Sequence, residues 1–82
     1  MKKHINEVAD FETKQPGIRG IVKDVSSNSI VMMLKDENRT RVFVPEASIL
    51  FKENQMVSVY GNRERPQAVV NYETQIAYIK DP

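Results

Sequence analysis

The stretch that decides the fold is IVMMLKDENRTRVFV, residues 30–44, in which two alternating apolar runs flank one polar turn. Residues 30–35 and 40–44 are rich in β-branched and other apolar side chains at every second position, a pattern typical of strands. Between them, Asn38 is the residue that best tolerates a left-handed backbone conformation in the absence of glycine. The stretch therefore predicts a β-hairpin.

The alternation also predicts which side chains of this hairpin face the core. Successive side chains of a strand point to opposite faces. We expect Met33 and Lys35 on one strand, and Arg41 and Phe43 on the other, to face outward. A slip of one residue in register would exchange the two faces. The inward set under this prediction is Ile30, Met32, Leu34, Val42 and Val44.

The rest of the chain repeats the β pattern on both sides of the hairpin. Residues 18–25 precede it as a first strand and end at a Ser-Ser-Asn-Ser turn. Residues 45–51 begin with proline and predict a short helical or irregular connector. A further strand is expected at 56–60, and a last strand or strand pair at 67–79. The pattern predicts an all-β protein of about five strands.

Length and composition limit the organisation of the chain. The 82 residues, 40% hydrophobic and 28% charged, are typical of one small globular domain. We expect one domain over 1–82, with an N-terminal segment at 1–16 and a barrel at 17–80. Ile5, Val8 and Phe11 fit either a helical turn or an extended segment. With no long apolar run, neither a signal-peptide core nor a transmembrane helix is predicted, and a cytoplasmic location without membrane contact is expected.

Catalytic and metal-binding side chains are scarce. The chain has no cysteine and a single histidine, His4, which we expect in a solvated, frayed terminus. Asp36 and Glu37 are adjacent carboxylates in a turn, too few for an oxygen-ligand cage around a hard cation. The sequence therefore predicts no enzyme, no metal site and no cofactor.

Several segments resemble the OB-fold nucleic-acid-binding family, especially its anticodon-binding type and the single domains of archaeal replication protein A. The resemblance covers nearly the whole chain. It departs from the family at Asn54, where glycine is usual, and at Asn38-Arg39, where Thr-Gly is usual; asparagine tolerates positive φ, so both turns can still form. The segments that carry it are residues 5–8, residues 18–22, residues 30–36 ending in Leu-Lys-Asp, and residues 51–61 ending in glycine.

This resemblance implies a five-stranded Greek-key barrel with the connector between strands three and four. In such folds the face of strands two and three, together with the loops between strands one and two and between four and five, binds the ligand. Phe43 is then the leading candidate to stack on bases, with Met33 as a weaker contact and Tyr60 as a second stacking ring. Ser27 and Asn28 in the first turn could hydrogen-bond bases or sugars, although turn formation alone explains them.

Basic side chains cluster in the same elements although the net charge of the chain is only +1. Arg63 and Arg65 occupy the loop before the last strands, and arginine can pair with phosphate or stack on a base. An ordinary solvated loop is an equally good explanation of Arg-Glu-Arg. The other predicted contacts are Arg19, Lys35, Arg39 and Arg41.

The sequence therefore predicts binding of single-stranded DNA or RNA with low sequence preference, weakened readily by salt. The alternative is an OB-fold interaction module that docks a protein of a replication, repair or translation assembly on the face of Met33 and Phe43. A small SH3-like or other β barrel is a third possibility. Tyr72 and Tyr78 could also stack, and Tyr78 better fits the core or the barrel rim.

Overall fold

A computed structural model describes residues 17–80 and the backbone of residues 2–4, and these residues form seven strands and one short helix. Apolar side chains at every second position account for most of the strands. The elements in chain order are β1 (Lys2–His4), β2 (Ile18–Val25), β3 (Ser29–Leu34), β4 (Arg39–Phe43), α1 (Ala47–Leu50), β5 (Met56–Gly61), β6 (Pro66–Asn71) and β7 (Ile76–Ile79).

All pairings between the strands are antiparallel, and β2–β7 form one curved sheet that β1 extends at its edge. The spatial order is β1-β7-β6-β5-β2-β3-β4. Among the described residues no ladder joins β4 to β1 or β7, so the sheet is not closed into a barrel. The barrel that the resemblance implies is therefore not closed among these residues, and β4 is left as a sheet edge.

The strand bounds lie close to the sequence predictions. β2 coincides with the predicted 18–25, and β3 and β4 each begin and end one residue before the predicted strands. The predicted last segment, 67–79, is two strands separated by a turn at 72–75. About five strands were expected, and the described part of the chain contains seven. The additional strand β1 contains His4, whose backbone pairs with Ile76 rather than fraying; Ile5, Val8 and Phe11 lie outside the described residues.

The main core lies on the concave side of the sheet and is closed by α1. Val22, Met32 and Val42 are fully buried there, as their alternation predicts. The connector contributes three buried side chains to this core, those of Ala47, Leu50 and Phe51. Its helix α1 packs against β3 and β7. No described helix has the length and apolar character needed to cross a membrane. The connector therefore fills the space at one end of the open sheet.

The turns before β4 and before β5 use residues other than glycine in the left-handed region. Asn54 has φ 71°, as its position predicts, and it precedes β5. In the β3–β4 turn the left-handed residue is Glu37, with φ 68°, rather than Asn38. The amide and side chain of Asn38 donate instead to Asp36, at 3.1 and 2.8 Å. With this Asx arrangement, the left-handed residue of the turn lies one position earlier than predicted.

Gly20 allows β2 and β3 to approach closely. A Cβ atom at this position would lie 2.6 Å from the carbonyl oxygen of Met33 and 2.6 Å from Cε of Met32. Because the first contact is to backbone, a larger side chain would require the strands to separate. The register of β2 against β3 then shifts at a bulge between Val22 and Asp24.

Candidate functional site

A groove of about 620 Å³ lies where the two ends of the curved sheet come closest. Four elements contribute to it: the β2–β3 turn, the end of β4, the β5–β6 loop and the end of β7. We call it the seam groove; its lining residues are Asn28, Phe43, Val44, Pro45, Glu64, Arg65, Pro66, Tyr78 and Lys80.

Phe43 presents its ring to the seam groove because of the alternation in β4. Val42 and Val44 on either side of it are fully buried, whereas Phe43 is 47% exposed. The predicted register, with Arg41 and Phe43 outward, is therefore confirmed. An aromatic side chain half exposed beside a groove offers a flat apolar face to a ligand.

The β2–β3 turn is fixed beside the end of β4 by backbone hydrogen bonds. The amide of Val44 donates to the carbonyl of Asn28 at 3.0 Å, and the amide of Ala47 donates to that of Ser27 at 3.1 Å. Within the turn the hydroxyls of Ser26 and Ser29 lie 2.6 Å apart. The exposed side chain of Asn28 is thereby held at the groove, where its amide can exchange hydrogen bonds with a ligand.

The β5–β6 loop places Arg65 on the groove through a turn at Asn62. The side-chain oxygen of Asn62 accepts from the amide of Glu64 at 2.8 Å, and its carbonyl accepts from the amide of Arg65 at 3.2 Å. Gly61, with φ 88°, begins the turn in a conformation that other residues rarely adopt. These constraints order a loop that its charged sequence alone would leave without a fixed conformation.

Tyr78 and Lys80 also line the seam groove; Tyr78 was expected to fit the core or the barrel rim better than a stacking role, and Lys80 is not among the predicted contacts. The amide of Lys80 donates to the carbonyl of Gln67 at 2.8 Å, which holds the end of β7 beside the start of β6. In an antiparallel pair the end of one strand lies next to the start of the other, and that topology is the signal that places Lys80 beside the β5–β6 loop. Arg65 and Lys80 outnumber the single acidic lining residue, Glu64.

Arg41 lies on the same outward face of β4 as Phe43, two residues away. Its guanidinium donates to the hydroxyl of Ser29 at 2.9 Å, across the β3–β4 pair. Guanidinium carries five N–H groups, so this contact orients the side chain and leaves other donors on an exposed residue. Arg39 and Arg63 are exposed but line neither of the two grooves described here.

A second groove, of about 430 Å³, contains three further predicted contacts. We call it the sheet-face groove; Arg19, Met33 and Lys35 line it together with Ile21 and Met56. These residues come from β2, the end of β3 and the start of β5. The guanidinium of Arg19 lies over the ring of Tyr72, 4.8 Å from its centroid, and donates to its hydroxyl at 3.3 Å. Five of the nine predicted contacts are thus divided between the two grooves, and the other four line neither.

The stacking role predicted for Tyr60 is not supported. Tyr60 is only 4% exposed and belongs to a second buried cluster with Ala68, Val70 and Ala77. Alternation in β5 places it on the face opposite Val57 and Val59, but that face is also covered. A ring buried in this way has no free face for a base. The prediction was wrong because it assumed that the outer face of β5 is solvated.

No group of three or more metal-binding side chains is present within residues 17–80. Comparison with known proteins adds no assignment: no family model matches the chain, and neither a curated protein nor a solved structure is significantly similar to it. The two grooves are therefore the features from which a function can be inferred.

Proposed function

We propose that this chain is an OB-type binding module that holds single-stranded nucleic acid in the seam groove with little sequence preference. Phe43 stacks on a base, and Arg65 and Lys80 contact the flanking phosphates. Arg41 on β4 and Arg63 in the β5–β6 loop are exposed outside the seam groove and contribute further positive charge. Asn28 offers hydrogen bonds to a base or a sugar.

One observation carries this proposal: a half-exposed aromatic ring and two cationic side chains line the same groove. Single-strand binding proteins combine a stacking ring with basic side chains that follow the phosphate backbone. Because every base has a π face, this combination binds without reading sequence. The hydrogen bonds around Asn28 and Arg65 hold the two sides of the groove in place before a ligand arrives, which lowers the entropic cost of binding.

The strand order supports the OB-type assignment. In a Greek key, three consecutive strands are followed by a fourth that returns to lie beside the first. β2, β3 and β4 are consecutive, and β5 returns through α1 to pair with β2. OB folds are partly open barrels whose ligand face uses strands two and three and the loops between strands one and two and between four and five. Counted from β2, these are β3, β4 and the two loops at the seam groove.

The sheet-face groove fits the same function as an additional contact region. Arg19 and Lys35 outnumber the acidic Glu37 there, and Met33 and Met56 provide an apolar floor. Arg39 and Arg41 lie on β4, beside β3, which carries Met33. A strand longer than the seam groove would meet these basic side chains as it leaves Phe43.

The experiment is a binding titration with fluorescently labelled oligo-dT and oligo-U at several salt concentrations. Two phosphate contacts predict that log affinity falls by about 1.4 for each log unit of salt. A duplex of the same length serves as the control, since its stacked bases cannot reach Phe43. Absence of binding of both single strands at low salt would reject the proposal, as would equal affinity for the duplex. The ratio of the affinities for oligo-dT and oligo-U distinguishes a DNA-binding from an RNA-binding module.

A further inference from the structure

β4 has one edge that carries no partner strand among the described residues. It pairs with β3 from Met33↔Arg39 to Ser29↔Phe43 and with nothing on its other side. A strand edge of this kind presents unpaired N–H and C=O groups that can accept another strand. The seam groove opens beside this edge at Phe43.

The direction of the hydrogen bonds identifies the free backbone groups. The amide of Val44 donates to Asn28, and the amide of Leu34 donates to Asn38. In an antiparallel pair, hydrogen-bonded positions alternate with positions whose N–H and C=O point away. The pairs Ile30↔Val42 and Met32↔Thr40 are therefore the hydrogen-bonded ones. The outward backbone groups of the edge belong to Arg39, Arg41 and Phe43.

This edge lacks two common protections against strand addition. β4 contains no proline, and its register with β3 has no bulge. Its five residues span about 17 Å, enough for a short ladder with a peptide. Pro45 follows two residues after Phe43 and limits the ladder at that end.

A second copy of the chain fits this edge poorly. An antiparallel β4–β4 pair centred on Arg41 would place the two Arg41 side chains directly opposite each other. Like charges in that position destabilise a strand pair. The arginines of β4 therefore act against self-association while they leave the edge open to a strand of opposite charge.

We propose that β4 binds an extended acidic peptide as an added antiparallel strand at this edge. The pleat sets its pattern: every second side chain lies on the face of Arg39 and Arg41 and is acidic, and the intervening ones lie on the face of Val42 and are apolar. Arg65 and Lys80, across the seam groove, add to the positive field. Main-chain hydrogen bonds supply affinity and the alternating side chains supply selectivity.

This site overlaps the proposed nucleic-acid site at Phe43 but is tested separately, because it depends on backbone groups of β4 rather than on base stacking. Its test uses the full chain and a synthetic peptide of alternating glutamate and valine. Amide hydrogen exchange, followed by NMR, is measured residue by residue with and without the peptide. We expect exchange at Arg41 and Phe43 to slow by about tenfold or more, whereas Thr40 and Val42, already bonded to β3, change little.

A matched control separates strand pairing from simple charge attraction. The same peptide with N-methyl groups on the amides that face β4 keeps its charge but cannot form the ladder, and it should bind at least about tenfold more weakly. In the Arg39→Glu/Arg41→Glu variant, a peptide with lysine in place of glutamate should bind better than the acidic one.

Three results would overturn the proposal. The first is equal binding of the N-methylated peptide. The second is protection of the Arg41 and Phe43 amides without peptide together with a dimeric mass in sedimentation, which would assign the edge to a second copy. The third is protection of these amides by oligo-dT but not by the peptide, which would assign the edge to nucleic acid.

Discussion

Phe43 and Arg65 line the same groove, although β4 and the β5–β6 loop are separated in the sheet by β2 and β3. The sheet brings them together by curling around the main core, whose buried valines and methionine line its concave side. Curvature thus creates a site that neither hairpin contains alone. An aromatic ring from β4 and a cation from the β5–β6 loop face the same space.

Replacing Phe43 with alanine should weaken oligo-dT or oligo-U binding by about 1–3 kcal/mol, because a stacking ring is lost. Since the side chain is half exposed, the free energy of unfolding should change by less than about 1 kcal/mol. Fluorescence titration and urea unfolding measure the two effects. Ile49→Ala is the matched control, because Ile49 is 69% exposed on α1 and outside the seam groove. Equal loss of affinity in both variants would show that Phe43 does not contact the nucleic acid.

Arg65→Ala should reduce both the affinity for single strands and its dependence on salt. One fewer phosphate contact lowers the slope of log affinity against log salt by about 0.7. The measurement is the same titration repeated over a range of salt concentrations. Lys52→Ala removes an exposed positive charge from the connector, outside both grooves, and should leave the slope unchanged. A slope that is identical in the Arg65 variant and the unmodified chain would contradict the phosphate contact.

Local patterns in the sequence predicted the strands and the direction of Phe43, because the two-residue period of a strand is a local property. Val42 and Val44 identify the inner face of β4 without reference to any other part of the chain. The turn chemistry of Asn54 is equally local, and its positive φ was predicted. The prediction of Asn38 as the left-handed residue of the β3–β4 turn was wrong, and Glu37 takes that role. Asn38 instead donates two hydrogen bonds to Asp36, and composition does not specify these hydrogen bonds.

Contacts between distant segments could not be predicted in the same way. The open edge of β4 depends on whether two ends of a curved sheet meet, and no local pattern encodes that distance. The burial of Tyr60 depends on what covers the outer face of β5. Alternation identifies the two faces of β5 but does not tell whether the outer one is covered. Lys80 reaches the seam groove through the β6–β7 pairing, which the sequence left as one strand or two.

Asn71 should be one of the most sensitive polar positions for stability. Its buried side-chain amide donates to the carbonyl of Leu50 at 2.9 Å and to the side-chain oxygen of Gln55 at 2.8 Å, while its oxygen accepts from the amide of Glu73 at 3.0 Å. Asn71→Ala removes the partner of the Leu50 carbonyl and of the Glu73 amide, while Gln55 still accepts from the amide of Lys52 at 2.7 Å, and should lower the free energy of unfolding by about 2 kcal/mol. Urea unfolding measures the loss.

The exposed Asn38 provides the control for this prediction. Its side chain also donates a hydrogen bond of 2.8 Å, to Asp36, but in a solvated turn where water can replace it. Asn38→Ala should therefore cost less than about 1 kcal/mol. If the two alanine variants lost equal stability, the buried hydrogen bonds of Asn71 would not be the reason for its effect.

Gln75→Gly should stabilise the protein. Gln75 ends the β6–β7 turn with φ 60°, a left-handed conformation that costs a residue with a Cβ atom about 1–2 kcal/mol. Glycine removes this cost but loses about 0.5–1 kcal/mol of backbone entropy on folding, so a net gain of about 0.5–1 kcal/mol in the free energy of unfolding is expected. The neighbouring Thr74 does not have positive φ, and Thr74→Gly should instead destabilise the protein by about 0.5–1 kcal/mol. Thermal or urea unfolding of both variants checks the opposite signs, and a loss of stability in both would show that Gln75 carries no backbone strain.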